Sequence, residues 1–171
     1  MPVAAVGARL RDPVSVSVLL RPISAAAAEA IGSGRAPGDV RVADDYPTEF
    51  SDEVGEQGAG DDALGPFFIH RAEDDVVIGE IGASRIEPGV VMTGYALVES
   101  CWGRGHATDA VRALVERVRG ADGVERIVAL TPLDRPASGR VLEKAGFALI
   151  GELDHDHDGE AIRVRRWELV L

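Results

Sequence analysis

Gly103 and Gly105 flank Arg104 in the run Glu99-Ser100-Cys101-Trp102-Gly103-Arg104-Gly105-His106-Ala107-Thr108-Asp109, where an apolar stretch gives way to helix-forming sequence. Glycine allows a sharp bend and lets the backbone approach a ligand with no Cβ in between. The first amides of the helix that follows have no intrahelical acceptor, so the bend suits an anion. Residues able to move protons lie elsewhere. Glu80, between Ile78-Gly79 and Ile81-Gly82, is an acid in an apolar stretch whose small neighbours leave room for a ligand, and burial would tune it for proton transfer. A solvent-facing edge glutamate is the competing reading. Ser138, Tyr95 and the run Asp154-His155-Asp156-His157-Asp158-Gly159-Glu160 complete the set.

Several chemistries that use similar residues fail on placement. A dinucleotide site needs its ribose-binding acid at the end of the next strand, where Thr131 and Pro132 stand, and Glu125 lies too early. A nucleotide P-loop ends Gly-Lys-Ser/Thr, whereas this loop continues His106-Ala107-Thr108 without a lysine. The Asp154 run matches early positions of a calcium loop but has Arg165 where a bidentate glutamate belongs, and Asp158-Gly159 reads as a hairpin turn. No metal site is expected, zinc through His155 and His157 included. On the loop alone, a tight connection with no ligand stays open.

The elements that must hold these residues follow from periodicity. Val14 to Leu20 alternates as a strand closed by Pro22, and Ser24 caps an alanine-rich helix through Ile31. Residues 39–65 read as a mobile acidic excursion near the acceptor side with room for one short helix, anchored by Tyr46 and Phe50, and its carboxylates would suit a cationic acceptor. Phe67 to Arg71, Val76 to Ser84 and Val90 to Val98 form an antiparallel meander. A helix from His106 to about Gly120 puts Ala107, Ala110, Val111, Leu114, Val115 and Val118 on one face. A strand from Arg126 to Thr131, a helix from Pro136 to Ala145 and a final hairpin, Phe147 to Leu153 with Ile162 to Leu171, complete the order β-α-(α)-β-β-β-α-β-α-β-β.

The 171 residues, 46% hydrophobic and 27% charged, fit one soluble globular domain spanning 1–171. A net charge of −11 argues against nucleic acid or an anionic membrane as main partner and leaves cationic or amine ligands open, with coding composition as the competing source of the charge. No apolar run is long enough to span a bilayer, and Arg9, Arg11, Asp12 and Pro13 do not make a signal-peptide pattern. The single cysteine, Cys101, fits a cytoplasmic location.

Two segments in this order resemble the GNAT acyltransferase superfamily, and within it the branch that includes ribosomal-protein N-terminal acetyltransferases. Trp102-Gly103-Arg104-Gly105-His106-Ala107 is similar to the family's pyrophosphate motif Gln/Arg-x-x-Gly-x-Gly/Ala, with Trp102 replacing its first residue. Arg135 to Phe147, containing Ser138 and Val141-Leu142-Glu143-Lys144, is similar to the branch's Asn-x-x-Ser-x-x-Val-Leu-Glu-Lys-x-Gly-Phe. The resemblance runs from about Val76 to Leu171. It implies an α/β (α+β) fold with a mixed, mostly antiparallel sheet of six to seven strands, flanked by helices and splayed at the strand before the glycine loop.

It also implies acetyl-CoA as co-substrate, with no metal. Amides of Gly103, Arg104, Gly105, His106, Ala107 and Thr108 would hold the pyrophosphate, and Ala96 and Leu97 would pair with the pantetheine arm. Arg104, Arg112 and Arg140 could neutralise phosphates. Ser138 would sit near the sulfur. Leu142 stands where many members carry a proton-donating tyrosine, and Arg135 replaces the usual Asn, giving either a phosphate contact or weaker cofactor binding. No carboxylate stands at Val90, Val91 or Met92, where other members place a base, which leaves Glu80 or a hairpin histidine such as His157 to take the amine proton, with Tyr95 orienting the amine or packing. The expected activity is transfer of acetyl to a small amine or a peptide N-terminus by direct attack. An inactive acyl-CoA sensor or scaffold of the same fold is the alternative, and a homodimer is compatible with either.

Overall fold

The computed structural model describes residues 16–61 and 63–171. Val14 and Ser15 of the expected first strand, Arg9 to Pro13 and Asp62 lie outside the described residues. The elements are β1 (Val18–Pro22), α1 (Ala25–Gly32), α2 (Ser51–Gln57), β2 (Phe67–Arg71), β3 (Val76–Glu87), β4 (Gly89–Leu97), α3 (His106–Arg119), β5 (Val124–Pro132), α4 (Pro136–Lys144), β6 (Ala148–His157) and β7 (Glu160–Val170). One seven-stranded sheet runs in the order β1-β2-β3-β4-β5-β7-β6. Every neighbouring pair is antiparallel except β4 and β5, which the α3 crossover forces to run parallel. No helix among the described residues is long and apolar enough to cross a membrane.

Helices cover both faces of the sheet because β2 is apolar on both. Phe67 and Ile69 pack in a core with Val111, Leu114 and Val118 of α3 and Leu142 of α4. Phe68 points the other way, into a smaller core with Ala27, Ala28 and Ile31 of α1 and Val54 of α2. Each phenylalanine fully buried in this way contributes about 1.5–3 kcal/mol. Ser24 caps α1 by accepting the Ala27 amide at 3.1 Å. A Cβ on Gly55 would lie 2.6 Å from the Gly32 Cα, so α1 and α2 meet at a contact that only glycine permits.

Two features differ from the sequence expectation, and both shape the cleft. The acidic segment, which holds the one short helix expected there as α2, is no mobile excursion but is fastened to the sheet through side chains described below. The last hairpin is longer than its apolar pattern suggested, pairing as far as His157 with Glu160. Asp158 and Gly159 both take positive φ, 54° and 83°, and close it as a two-residue turn. The charged run from Asp154 to Glu160 is therefore extended backbone and turn, with Asp154 bonded to Arg163 at 3.1 Å and Asp156 to the Gly159 amide at 2.9 Å.

The sheet opens at its centre. β4 pairs with β5 from Gly89 opposite Val124 only as far as Thr93 opposite Ala129. Beyond that point Gly94 to Leu97 stays with β3, while Leu130 to Pro132 stays with β7. The two strands diverge, and the edge of β4 facing the gap has no strand partner among the described residues.

Candidate active site

α3 begins beyond the open end of β4. A 3-10 turn at Glu99–Cys101 reverses the chain, and the Asp45 carboxylate clamps it by accepting the Ser100 amide at 2.9 Å and the Ser100 hydroxyl at 2.8 Å. Those bonds hold Asp45 below the usual carboxylate range. Gly103 and Gly105 have φ of 71° and 84°, and a Cβ at either would meet open space. The first backbone bond into α3 runs from the Asp109 amide to the Gly105 carbonyl at 3.1 Å, which leaves the amides of His106, Ala107 and Thr108 without helical acceptors.

Side chains behind this bend brace it. Ser17 donates its hydroxyl to Asp109 at 2.5 Å and its amide to the same oxygen at 3.3 Å, tying the first turn of α3 to the start of β1. The imidazole of His106 turns inward, with Nδ1 3.0 Å from the Ser17 hydroxyl. Burial, followed by the charges of Arg71 and Arg104, pushes the His106 pKa down. His106 thus offers the bend its amide, while its ring belongs to the brace. Arg71 grips Asp74 through two bonds, at 2.9 and 2.6 Å. Arg104 and Arg140 have no protein partner among the described residues, whereas Arg112 donates to the Lys144 carbonyl at 2.7 Å. At the far end of β4, the Leu97 carbonyl accepts the Trp102 indole N–H at 2.8 Å.

A cleft of about 940 Å³ occupies the gap between the strands. Tyr95 and Ala96 of β4 and Thr131 of β5 are on its floor, and Arg135 and Ser138 enter from the start of α4. The Tyr95 hydroxyl donates to the Ser138 carbonyl at 3.1 Å, and burial pushes that phenol well above its usual value. The Ser138 hydroxyl itself has no protein partner among the described residues. Of the residues singled out from sequence, Tyr95, Ala96, Arg135, Ser138, His155 and His157 share this cleft, while Leu97 ends β4 and Gly103 to Thr108 form the bend beyond it.

Glu80 stands apart. Its side chain is fully buried one strand behind the cleft, opposite Ala96 in register; the space beside Gly79 and Gly82 is taken by Ala96, Leu97 and Pro66, and the carboxylate itself meets the protein's own hydroxyls. It is neither exposed at an edge nor on the cleft surface. Arg135 is also engaged away from the glycine bend, forming an ion pair with Glu49 across the cleft mouth.

Two walls of the cleft come from the acidic segment and the last hairpin, the segments whose carboxylates and histidines the sequence already associates with the acceptor. Glu49, Phe50, Asp52 and Glu53 line one side, and His155, His157 and Asp158 of the hairpin line the other. Burial raises the Glu53 carboxyl, the charge of His157 pulls it back down, and that of Asp158 raises it again, so α2 and the hairpin are within electrostatic reach. Beyond the acidity of the segment, a sequence signal for the first wall is the spacing of Tyr46, Thr48 and Ser51, polar groups where the acidic segment also holds aromatic anchors.

A family model described as an acetyltransferase (GNAT) domain matches residues 17–148. The ribosomal-protein-serine acetyltransferase of Escherichia coli (strain K12) is 35% identical over 81 residues, which are 46% of this chain and 45% of that protein. The match thus spans less than half the length of the curated relative. Among solved structures, a chimera of the Vibrio cholerae spermidine N-acetyltransferase SpeG and hSSAT is similar with a TM-score of 0.64 at 15% identity, over 90% of this chain and 95% of that one. Mycobacterium smegmatis RimJ in complex with CoA-disulfide is similar with a TM-score of 0.55 at 23% identity, over 63% of this chain and 53% of that one. At such identities the likeness of the solved structures is one of fold.

Proposed function

The chain belongs to the GNAT acetyltransferase family, and from that premise we propose that it is an acetyl-CoA-dependent N-acetyltransferase in which a primary amine attacks the thioester directly. The observation that carries this reading is the meeting, in one place, of an unpaired helix N-terminus, a strand edge without a partner and a cleft with an unpaired serine hydroxyl. Open space at Gly103 and Gly105 leaves room for a diphosphate against the first amides of α3. Arg104 beside the bend supplies charge of the right sign in a chain whose net charge is −11. The free edge of β4 at Ala96 is suited to bonding an extended pantetheine arm as an added strand would.

Acetyl-CoA supplies an activated acyl group, and the protein's task is to orient it, receive the thiolate and accept a proton from the amine. Ser138, with its hydroxyl free in the cleft, serves the departing sulfur. Tyr95 holds the Ser138 backbone in place through the 3.1 Å bond to its carbonyl. The amine enters between the acidic wall and the hairpin, where Asp52 and Glu53 favour a cationic acceptor and His157 is placed to take up its proton. Spermidine, in the name of SpeG, carries primary amines, and a ribosomal-protein serine, in the name of the Escherichia coli relative, offers one where it begins a chain.

Thiol release from acetyl-CoA, followed with and without amines, tests this directly. The expected result is amine-dependent release that saturates in both substrates. Tight acetyl-CoA binding with no amine-dependent release would establish instead a sensor or scaffold of the same fold.

A further inference from the structure

Glu80 is the one carboxylate of the described chain that is completely shielded from solvent, and its hydrogen-bond partners all come from a single short segment. Its Oε1 accepts the Tyr46 hydroxyl at 2.5 Å and the Ser51 hydroxyl at 2.6 Å, and its Oε2 accepts the Thr48 hydroxyl at 2.6 Å. Bonds of this kind to a charged acceptor are the strong ones, and they allow a carboxylate to be buried. Two of the donors also shape their own backbone: the Thr48 hydroxyl accepts the Phe50 amide at 3.1 Å, and the Ser51 hydroxyl accepts the Thr48 amide at 3.1 Å. Each hydroxyl therefore accepts a hydrogen bond from the turn and donates its own to Glu80.

The geometry fixes what this arrangement controls. Ser51 is the first residue of α2, so the network sets where that helix starts. Glu49, Phe50, Asp52 and Glu53, interleaved with the anchored residues, line the acceptor side of the cleft. On the sheet, Glu80 pairs in register with Ala96, where β4 borders the gap. One buried carboxylate thus connects the acceptor wall to the strand along which the acyl carrier would lie. Its oxygens are occupied and it does not reach the cleft, which is unlike a base that must meet the amine within hydrogen-bond distance.

We propose that Glu80 is a positioning residue that sets the acceptor wall against the acetyl group, so that its loss weakens use of the amine and leaves acetyl-CoA binding intact. This rests on the N-acetyltransferase reading given above. The test compares the full-length wild type with Glu80→Ala, Glu80→Gln, Thr48→Val and Ser51→Ala. Acetyl-CoA affinity is measured by calorimetry, and steady-state kinetics use spermidine and a serine-initiated peptide as acceptors. Removing the carboxylate should raise the acceptor KM about tenfold, the scale of losing hydrogen bonds to a charged group, while kcat changes less and the acetyl-CoA Kd stays within about twofold. Glu80→Gln, which keeps the shape and one acceptor oxygen, should recover part of the loss, and the two hydroxyl variants should fall in between. They carry the test if Glu80→Ala does not fold.

Two outcomes overturn the proposal. An acceptor KM unchanged in every folded variant means that the network does no more than stabilise the fold. A kcat lost equally in Glu80→Gln and Glu80→Ala, together with loss of the acidic limb of the pH profile, makes Glu80 the base. A wild-type protein that turns over neither acceptor removes the acetyltransferase reading itself, a result distinguishable from both.

Discussion

The two sides of the cleft are built from different materials. The side read here as the acyl-carrier site consists of main-chain groups from one contiguous stretch, the open edge of β4 and the first turn of α3. The acceptor side consists of side chains brought together from distant parts of the chain: Glu49 pairs with Arg135 across 86 residues, and Tyr46 with Glu80 across 34. Amides are present whatever the sequence, so the first site needs only glycines, a strand and a helix in the right order. The second depends on particular hydroxyls and carboxylates finding each other after folding. A site of the first kind tolerates sequence change, whereas one of the second kind is where specificity can diverge.

Substitutions that strike one side should leave the other unaffected. Gly105→Val has the largest expected effect, because a branched side chain at φ 84° strains the bend and intrudes where the diphosphate is proposed to lie. Its acetyl-CoA Kd should rise about tenfold or more by calorimetry, in a protein whose circular dichroism stays native. Unchanged affinity would detach the bend from the site. Ser138→Ala should lower kcat about tenfold with the acetyl-CoA Kd unaltered, the pattern of a group that acts only as the bond breaks; equal turnover would assign the serine to structure.

A pH experiment sharpens the comparison from the other direction. His106 lies below the ordinary histidine value because it is buried, so on acidification the unfolded chain takes up that proton before the folded one. Its contribution to stability is complete above about pH 6.5 and is lost as the pH falls through the lower folded value. Tm should therefore drop between pH 7 and pH 5, and the drop should be shallower in His106→Asn; identical slopes would contradict the buried placement of the ring. The smallest effect is expected from Arg135→Ala. Its ion pair with Glu49 is half exposed on both sides, and stability should change by about 1 kcal/mol or less. A loss well beyond that would mean the bridge holds the cleft mouth together.

The difference in materials also explains what could be read from the sequence. The meander, α3 and α4 announce themselves through apolar periodicity, and the glycine bend through local spacing. The end of the hairpin does not. β6 is an edge strand that buries no residue fully, so Asp154 to His157 carries no apolar alternation from which a strand could be inferred. α2 is similarly faint, burying Val54 and Ser51 in seven residues and relying on the Gly32–Gly55 contact for its place. Glu80 stood out as an acid in an apolar strand, but its partners could not be named because nothing local links residue 80 to residues 46–51. Arg135, read from its motif position as a cofactor contact, meets Glu49, a residue no motif marks.

Amide chemical shifts recorded as coenzyme A is added test the central claim most directly. The account predicts that the largest changes, with slowed hydrogen exchange, fall on the backbone N–H groups of Gly103 to Thr108 and of Gly94 to Leu97. Changes confined to α2 and the β6–β7 hairpin, with the bend before α3 unmoved, would contradict it.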